Sequence, residues 1–441
     1  MLISYSVSNF LSFKEKQTLN MFSGKGQRLE SHIIKEAGRK RILKGQVCFG
    51  ANGSGKTNLI KSIAFARNMI MNGLPNEDTE KKVFRGHLNL PETNTCFSFH
   101  FEYHGKEILY EVEVDLYKRI IKKEEAILVP LKKRIFSRLY NDGYYVIKKD
   151  DGIKKKKEDE ERYSIYIDDF KRETTLNSNS KVFFAIDVAK KAPNKSSFFS
   201  LFYSIAMFFD SILPIYTNSY YTQIMRHVEN EDENKDLISF LNTLDVNISR
   251  LHNEVVDKEN VLINLDDDKK QRLYSKLDQK NGVFYFKGNG GNLYALKKDQ
   301  NNNIIAEKMQ IKHGDSCDFD SSEESDGILR LFDFAPLLMG CSADDELILI
   351  DEIDRSLHTI VTKKLIDLIF NSKDKKTQFI ITSHDADLID LNLLRQDEIT
   401  LVDMMTTETQ LHSLRDKNLR YDKKIVNDYI QGTLGGVPNI K

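Results

Sequence analysis

A glycine-rich run near the start of the chain has the residue types and spacing of a phosphate-binding loop. It fits G-x-x-x-x-G-K-[ST] and consists of Gly50, Ala51, Asn52, Gly53, Ser54, Gly55, Lys56 and Thr57. The glycines let the backbone turn tightly, so successive N–H groups face inward as an anion nest at the positive end of a following helix. Lys56 would place its charge on the β- and γ-phosphates, and the Thr57 hydroxyl would ligate Mg²⁺. The run predicts a nucleoside triphosphate site; the alternative is a chance glycine turn.

Two carboxylates follow an aliphatic run much later in the chain. Residues 347–350 are Leu-Ile-Leu-Ile, which is typical of a parallel strand buried on both faces, and Asp351 and Glu352 come next. Ligands bind at the C-terminal ends of such strands. Asp351 is predicted to hold Mg²⁺, directly or through water, and Glu352 to accept a proton from an attacking water. The alternative is an acidic strand end at the surface.

Two further segments have residues that could contact phosphate. His384 follows a second aliphatic strand, and an imidazole there could contact the γ-phosphate. Ser325 and Gly327 precede an apolar helix, where Ser325 is a good N-cap and the turn exposes backbone amides. The alternative for this second segment is simply a capped helix.

Alternating and periodic patterns predict the elements that position these residues. A short strand at 46–49 leads into the loop, and a helix at 59–71 follows it. Period-two alternation over 95–149 predicts an antiparallel meander. The last part is predicted to be α/β, with a helix from about 326, strands at 347–350 and 378–382, and a Leu/Asp-rich helix after the second strand. The charged segments 150–162 and 229–235 are expected to be a solvated turn or linker and a break.

Composition limits the function classes. The 441 residues, 40% hydrophobic and 30% charged, predict one large or two fused domains and exclude a wholly disordered chain. A net charge of −1 excludes a globally basic nucleic-acid coat. No run of about 18 apolar residues and no secretion signal is seen, so we expect neither a membrane span nor export. The cysteines form no CxxC pair, which favours a reducing cytosol; they are Cys48, Cys96, Cys317 and Cys341.

In their order along the chain, these motifs resemble those of ABC-type ATPases of the SMC/RecF/OLD branch. The matching segments are Asn9-Phe10 with Ser12-Phe13, GANGSGKTN at 50–58, ESDGILRLF at 324–332, LILIDEIDRSLH at 347–358 and TSHD at 382–385. The tail at 428–438, DYIQGTLGGVP, resembles the ending of stand-alone prokaryotic defence ATPases, which include RloA-like and AbiLi-like proteins and the AriA ATPase of the PARIS system.

The resemblance implies an α/β fold of the P-loop NTPase, ABC ATPase type, with a mixed sheet, an antiparallel β-lobe and an inserted, mainly helical lobe. The implied parts are an N-terminal ATPase half at 1–150, the inserted lobe at 151–310 and a C-terminal ATPase half at 311–441.

It also implies ATP and Mg²⁺ as ligands, held in composite sites of a homodimer or higher homo-oligomer. Residues 50–58, including Asn58, would bind the nucleotide with Asp351 and Glu352 of the same protomer. Ser325 and Gly327 of the other protomer would close the site, Asp354 would lie in the D-loop across the interface, and His384 would be the switch histidine. No glutamine between the P-loop helix and the meander has a clear Q-loop setting, so that contact stays unassigned.

Residues 118–157 form a locally basic segment with fourteen Lys or Arg against five Asp or Glu. Its interpretation stays open between a solvated face, a DNA or RNA contact, and a docking surface for an acidic effector.

The combined hypothesis is a cytoplasmic ATP-hydrolysing, dimerising switch in bacterial anti-phage defence. Only 57 residues follow His384, too few for a Toprim nuclease domain, so we expect a separately encoded effector, in this family typically a nuclease. The alternatives are a RecF-like DNA repair or recombination ATPase that binds DNA, and a scaffold assembled by ATP binding.

Overall fold

The computed structural model describes two compact units. The described residues are all except 27, 36–40, 77, 88–93, 142, 177–180, 193–195, 218–223, 264, 278–281, 289, 339–345, 372–375, 418–424 and 438–441. Unit 1 comprises Met1–Tyr216, Asp344–Ile353 and Phe370–Lys441, and unit 2 comprises Thr217–Ala343 and Asp354–Ile369. Residues 157–216 fall within unit 1, and the three-part division predicted from the sequence stays a prediction.

Strands and helices are numbered along the described chain. The strands are β1 (Leu2–Ser8), β2 (Gln17–Asn20), β3 (Ile33–Lys35), β4 (Arg41–Leu43), β5 (Gly45–Phe49), β6 (Thr95–Tyr103), β7 (Lys106–Asp115), β8 (Ile120–Leu128), β9 (Lys133–Asn141), β10 (Tyr144–Lys148), β11 (Ile212–Ile215), β12 (Arg250–Val256), β13 (Val283–Lys287), β14 (Leu293–Lys298), β15 (Ile304–Lys312), β16 (Asp318–Asp320), β17 (Leu347–Ile350), β18 (Gln378–Ser383), β19 (Ile399–Met405) and β20 (Glu408–Ser413). The helices are α1 (Lys56–Asn72), α2 (Lys157–Leu176), α3 (Phe184–Lys191), α4 (Phe199–Asp210), α5 (Ile224–Glu229), α6 (Glu231–Thr243), α7 (Lys258–Leu262), α8 (Asp267–Leu277), α9 (Asp326–Leu338), α10 (Thr359–Asn371) and α11 (Ile425–Ile430).

The central sheet of unit 1 carries the predicted nucleotide motifs. Its strand order is β11-β17-β18-β5-β19-β20, with parallel pairing from β11 to β19 and an antiparallel edge at β20. All four side chains of β17 are buried, as expected for a strand covered on both faces. Because β17, β18 and β5 are parallel, Asp351, His384 and Gly50 all follow strand ends at one edge of this sheet.

The second large sheet of unit 1 confirms the predicted meander. Its order is β10-β9-β8-β7-β6-β1-β2, with every pair antiparallel. Residues of β6 alternate between buried and half-buried, so Phe97, Phe99 and Phe101 face the core. Phe101 stacks on Phe208 of α4 with ring centroids 3.9 Å apart. The aromatic-rich α4 is thus part of the core.

Unit 2 is built around a smaller antiparallel sheet with its own core. The strand order is β12-β15-β14-β13, and β16 also pairs with β15. A separate apolar cluster includes Leu273, Phe286 and Leu296. Strands β13 and β14 pair antiparallel, with Val283 opposite Lys297 and Lys287 opposite Leu293.

Two sequence-based expectations are wrong in part, because charged residues that begin helices were assigned to a turn and a break; residues 150–156 and 230 do lie outside helices and strands. The segment at 157–162 begins α2, and 231–235 begins α6, where the Asn230 side chain accepts from the N–H groups of Asp232 and Glu233. Acidic residues stabilise the first turn of a helix, which is where these segments lie.

The prediction of a Leu/Asp-rich helix after β18 is also wrong. Only residues 386–388 form a helical turn there, of the 3₁₀ type, with Asp385 accepting from the N–H of Asp387. Asp390 likewise accepts from the N–H of Asn392. Such local hydrogen bonds from Asp side chains compete with a continuous helix.

Cys48, Cys96 and Cys317 are free thiols, and Cys341 lies outside the described residues. Over the described ranges, none of the helices has the length and apolar character needed to span a lipid bilayer.

Candidate functional site

The loop between β5 and α1 is packed closely enough to need its glycines. A Cβ on Gly50 would overlap the carbonyl oxygen of Val402, and one on Gly55 would overlap the Thr409 side chain. Gly53 and Gly55 also have φ values of 78° and 107°, which favour glycine. The local sequence therefore holds the backbone in the tight turn that the phosphate-loop pattern predicts.

Two polar side chains inside this loop fit a phosphate group. Lys56 donates from Nζ to the carbonyl oxygens of Gly50 (2.6 Å) and Ala51 (2.9 Å), so its charge lies over the loop. Ser54 Oγ is buried and has no hydrogen-bond partner among the described residues. Phosphate oxygens would satisfy the serine hydroxyl and the ammonium together. The neighbouring Cys48 is not reactive, because burial raises its pKa to about 12 despite the opposing charge of Lys56.

A chain of hydrogen bonds links the loop helix to the Asp351 carboxylate and to the backbone of Glu352. Asp351 Oδ1 accepts from Thr57 Oγ1 at 3.1 Å and from Thr382 Oγ1 at 2.8 Å. The Thr382 hydroxyl in turn accepts from the backbone N–H of Glu352 at 2.8 Å. Hydroxyl and carboxylate oxygens are ligands that Mg²⁺ prefers, so Thr57 and Asp351 fit the predicted metal site.

Glu352 has an uncommon backbone conformation. Its φ of 50° lies in the left-handed region, which costs energy for a residue with a side chain. The hydrogen bond from its N–H to Thr382 holds that conformation. Strain maintained by a buried contact is common where a side chain must be held in one orientation, and here it lies directly after Asp351, the predicted metal ligand.

His384 and Asn58 lie around the same edge of the central sheet. His384 is exposed directly after β18, the strand between β17 and β5. Asn58 donates from Nδ2 to Ser12 Oγ at 2.8 Å, and Thr409 Oγ1 donates to the same serine oxygen at 2.7 Å. The Asn58 side chain therefore fastens α1 to the N-terminal segment, and its predicted part in nucleotide binding stays a prediction.

The remaining predicted site residues lie in unit 2. Ser325 Oγ accepts from the N–H of Ile328 at 3.3 Å, which confirms that Ser325 caps α9. A Cβ on Gly327 would lie 2.8 Å from the carbonyl oxygen of Ser356, so this position has no room for a side chain. Asp354 is buried. The roles of these three residues across a dimer interface stay predictions.

Comparison with protein families decides the assignment. Residues 48–390 match the family model described as "AAA domain, putative AbiEii toxin, Type IV TA system". The chain belongs to this family. It is a P-loop ATPase-like domain with a mixed α/β fold, and the matched range begins just before the phosphate loop. Among curated proteins, none matches the chain.

Solved structures of SMC head domains are similar to this chain over most of their length. The SMC head domain from Thermotoga maritima is 15% identical, with 93% of this chain and 98% of that chain covered and a TM-score of 0.40. An SmcHead bound to the C-winged helix domain of ScpA is 14% identical, with 95% and 98% covered and a TM-score of 0.44. An Smc head domain with an extended coiled coil bound to the C-terminal domain of ScpA, derived from Pyrococcus furiosus, is 16% identical, with 93% and 95% covered and a TM-score of 0.38.

Two residues of this AAA-domain site were missed by sequence reasoning. Thr382 was visible only as part of the TSHD segment. Tyr216 directly follows β11, the neighbour of β17, and Ile215 pairs with Ile350 one residue before Asp351. Burial and then the nearby Asp351 carboxylate raise the pKa of Tyr216. A short aliphatic strand at 212–215 was the available signal, but its pairing with β17 spans more than 130 residues.

Replacing Thr382 with valine tests its positioning role. Valine keeps the shape but removes the hydroxyl that joins Asp351 to the Glu352 N–H. We expect ATP turnover to fall by about 10- to 100-fold, because the carboxylates lose their alignment. Steady-state phosphate release measures the rate, and fluorescent-nucleotide titration checks that binding is retained. Thr382→Ser keeps the hydroxyl and should retain most of the rate; equal losses in both variants would contradict the prediction.

Four cations of the basic segment are paired within the segment itself. Arg138 is fully buried against Glu124, Arg134 pairs with Asp151, and Lys155 pairs with Asp150. Lys123 lies 2.7 Å from Glu125. These four partners are among the five acids already counted in the segment, so its excess of basic residues is unchanged and its three interpretations stay open.

Proposed function

We propose that this protein binds and hydrolyses ATP with Mg²⁺ and uses the reaction as a conformational switch. The observation that carries the proposal is the hydrogen-bonded series Thr57–Asp351–Thr382–Glu352 beside the phosphate loop. The proposal is supported because two side-chain oxygens that would bind a metal lie next to Glu352, whose backbone is held in one conformation. Bound Mg²⁺ would neutralise charge on the phosphates, while Lys56 binds them and Glu352 takes a proton from water.

We further propose that the ATP-bound form is a homodimer or higher homo-oligomer. Ser325 and Gly327 would contact the nucleotide held by the other protomer, and Asp354 would lie at the shared interface. The capped start of α9 supports this, because its backbone amides and positive end suit a phosphate. Neither the interface nor its stoichiometry is needed for the ATP site itself, so the two proposals can fail separately.

The cellular role that we propose is cytoplasmic anti-phage defence, in which the ATPase controls a separately encoded effector. We expect this effector to be a nuclease. The family description, which names a putative toxin of a type IV toxin–antitoxin system, supports a role of this class. Exchange of bound ATP for ADP would change the affinity of the ATPase for its effector.

A phage challenge with two matched lysine variants tests the proposal. Cells carrying the native gene with its neighbours should plate phage less efficiently than cells with Lys56→Ala, while Lys61→Ala should protect like the unchanged protein. Lys61 is exposed on the same helix and lies outside the phosphate loop. Mass photometry of the purified protein should show an ATP-dependent doubling that Lys56→Ala abolishes.

Full protection by Lys56→Ala would contradict the switch. DNA-stimulated ATP turnover without any effect on phage plating would favour the RecF-like alternative. A mass that doubles with ATP while turnover is absent would favour the scaffold alternative.

A further inference from the structure

A cavity of about 110 Å³ lies on unit 1 away from the nucleotide motifs. One wall is formed by residues 24–26, 28 and 29, the other by residues of the segment 391–397, and Arg415 lies beyond β20. The residues that give it its character are Lys25, Arg28, Arg395, Asp397 and Arg415.

The cavity lies at the end of the central sheet opposite the phosphate loop. Residues 391–397 precede β19, and Gln46 near the start of β5 donates from Nε2 to the carbonyl oxygen of Asp397 at 2.6 Å. The phosphate loop follows the other end of β5. Strand β5 spans roughly 16 Å at about 3.3 Å per residue, so a single anion cannot occupy both the cavity and the phosphate loop.

The described lining carries four cations and a single carboxylate. That carboxylate, Asp397, is already engaged: it accepts from Arg395 Nε and Nη2, each at 2.9 Å, and from the N–H of Gly24. Arg415 donates from Nη1 to the carbonyl oxygen of Phe22 at 3.2 Å, a contact that positions the guanidinium without cancelling its charge. The cavity is therefore strongly positive in a protein whose net charge is −1.

Partly buried hydrogen bonds hold the backbone on both sides of Lys25 and Arg28. The carbonyl oxygen of Gly26 accepts from Arg395 Nη2 and from Arg41 Nη2, both at 3.1 Å. Arg395 also donates to the carbonyl oxygen of Arg28, and Arg41 pairs with Glu30 at 2.6 Å. Arg395 is 5% exposed, so the loop is wrapped around a fixed guanidinium. Because these cationic side chains are already positioned, binding an anion costs less conformational entropy.

We propose that this cavity binds a phosphate group, as a second anion site separate from the ATP site. Planar guanidinium groups match the oxygens of phosphate, and Lys25 adds a point charge. The cavity is small and lined mainly by charged and polar groups, which suits a phosphate or pyrophosphate group. The ligand is thus a free phosphate or pyrophosphate, or the terminal phosphate of a longer molecule whose remainder stays outside.

Isothermal titration of the full-length protein with pyrophosphate tests the site. The titration is done in a Lys56→Ala background, so that the phosphate loop does not compete. Lys25→Glu and Arg415→Glu reverse exposed charges at the cavity and should each weaken pyrophosphate binding by at least about tenfold. Lys148→Glu reverses an exposed charge on β10, at an edge of the other sheet, and should leave the affinity unchanged.

A second arm identifies the source of the phosphate. A 12-nucleotide DNA with a 5′-phosphate that binds tighter than the same DNA with a 5′-hydroxyl, and only when Arg415 is intact, assigns the site to a nucleic-acid end. Equal binding of both DNAs, with pyrophosphate binding still sensitive to Arg415→Glu, assigns it to a free anion. The absence of pyrophosphate binding, or binding that neither cavity variant changes, overturns the proposal. ATP binding by Lys25→Glu with Lys56 intact is measured separately, so a failure of the ATP proposal is distinguishable.

Discussion

Glu352→Gln should lower the rate of ATP hydrolysis by about 10²- to 10⁴-fold while leaving ATP binding intact. Glutamine has the same shape, so it can keep the left-handed backbone and the N–H contact to Thr382. It cannot accept a proton from water. Because hydrolysis would no longer end the ATP-bound state, the variant should accumulate as an ATP-dependent dimer.

Single-turnover phosphate release and mass photometry with ATP measure the two effects. Glu158→Gln is the matched control, because Glu158 is exposed in the first turn of α2 and has no place in the site. Turnover by Glu352→Gln at the rate of the unchanged protein would exclude Glu352 as the base. Loss of both turnover and ATP binding would instead indicate a collapsed site.

The phosphate loop and the Asp351-Glu352 pair could be predicted because each is contained in a short segment. A loop of eight residues specifies its own backbone, and a run of four aliphatic residues marks a buried strand wherever it lies in the chain. The alternation in β6 to β10 is likewise local, since adjacent strands joined by short turns pair with each other.

Thr382 and Tyr216 could not be predicted, because their positions depend on which strands become neighbours. Thr382 acts between Asp351 and Glu352 only because β18 lies beside β17. Tyr216 adjoins Asp351 only because β11 pairs on the other side. Order in a parallel sheet is set by crossover connections and packing over long sequence distances, and no local pattern encodes it.

The basic segment illustrates the same limit for charge. Counting residues gave Arg138 a place in a positive surface, but it is fully buried. Its guanidinium lies over the Tyr145 ring at 3.8 Å and donates to the carbonyl oxygen of Val182 at 2.7 Å. The sequence does not distinguish an exposed arginine from one buried in the core, because the difference lies in the residues that contact it in the folded protein.

The largest effect on stability is expected from removing the carboxylate that pairs with Arg138. Glu124 is buried beside Arg138, with Oε2 3.5 Å from Nη1. It also accepts from Tyr110 Oη at 2.8 Å and from the N–H groups of Phe184 and Ala185 at 2.8 and 2.9 Å. One carboxylate of β8 thus holds the first turn of α3 and a guanidinium of β9 together.

Glu124→Ala should lower the free energy of unfolding by about 3–5 kcal/mol, because it leaves a buried guanidinium without its counter-charge. Urea denaturation followed by circular dichroism measures the loss. Glu125→Ala is the matched control: the neighbouring side chain is partly exposed and pairs with Lys123, so its loss should cost no more than about 1 kcal/mol.

The double variant Glu124→Leu with Arg138→Met separates two causes of that loss. If the cost in Glu124→Ala comes from an uncompensated charge, removing both charges should restore much of the stability, because apolar side chains of similar volume replace a buried pair at little cost. If the carboxylate is instead needed to satisfy the N–H groups of Phe184 and Ala185, the double variant should be no more stable than Glu124→Ala. The first outcome would make the pair a device for orienting α3 against the antiparallel sheet, and the second would make Glu124 chiefly a helix cap supplied from a strand.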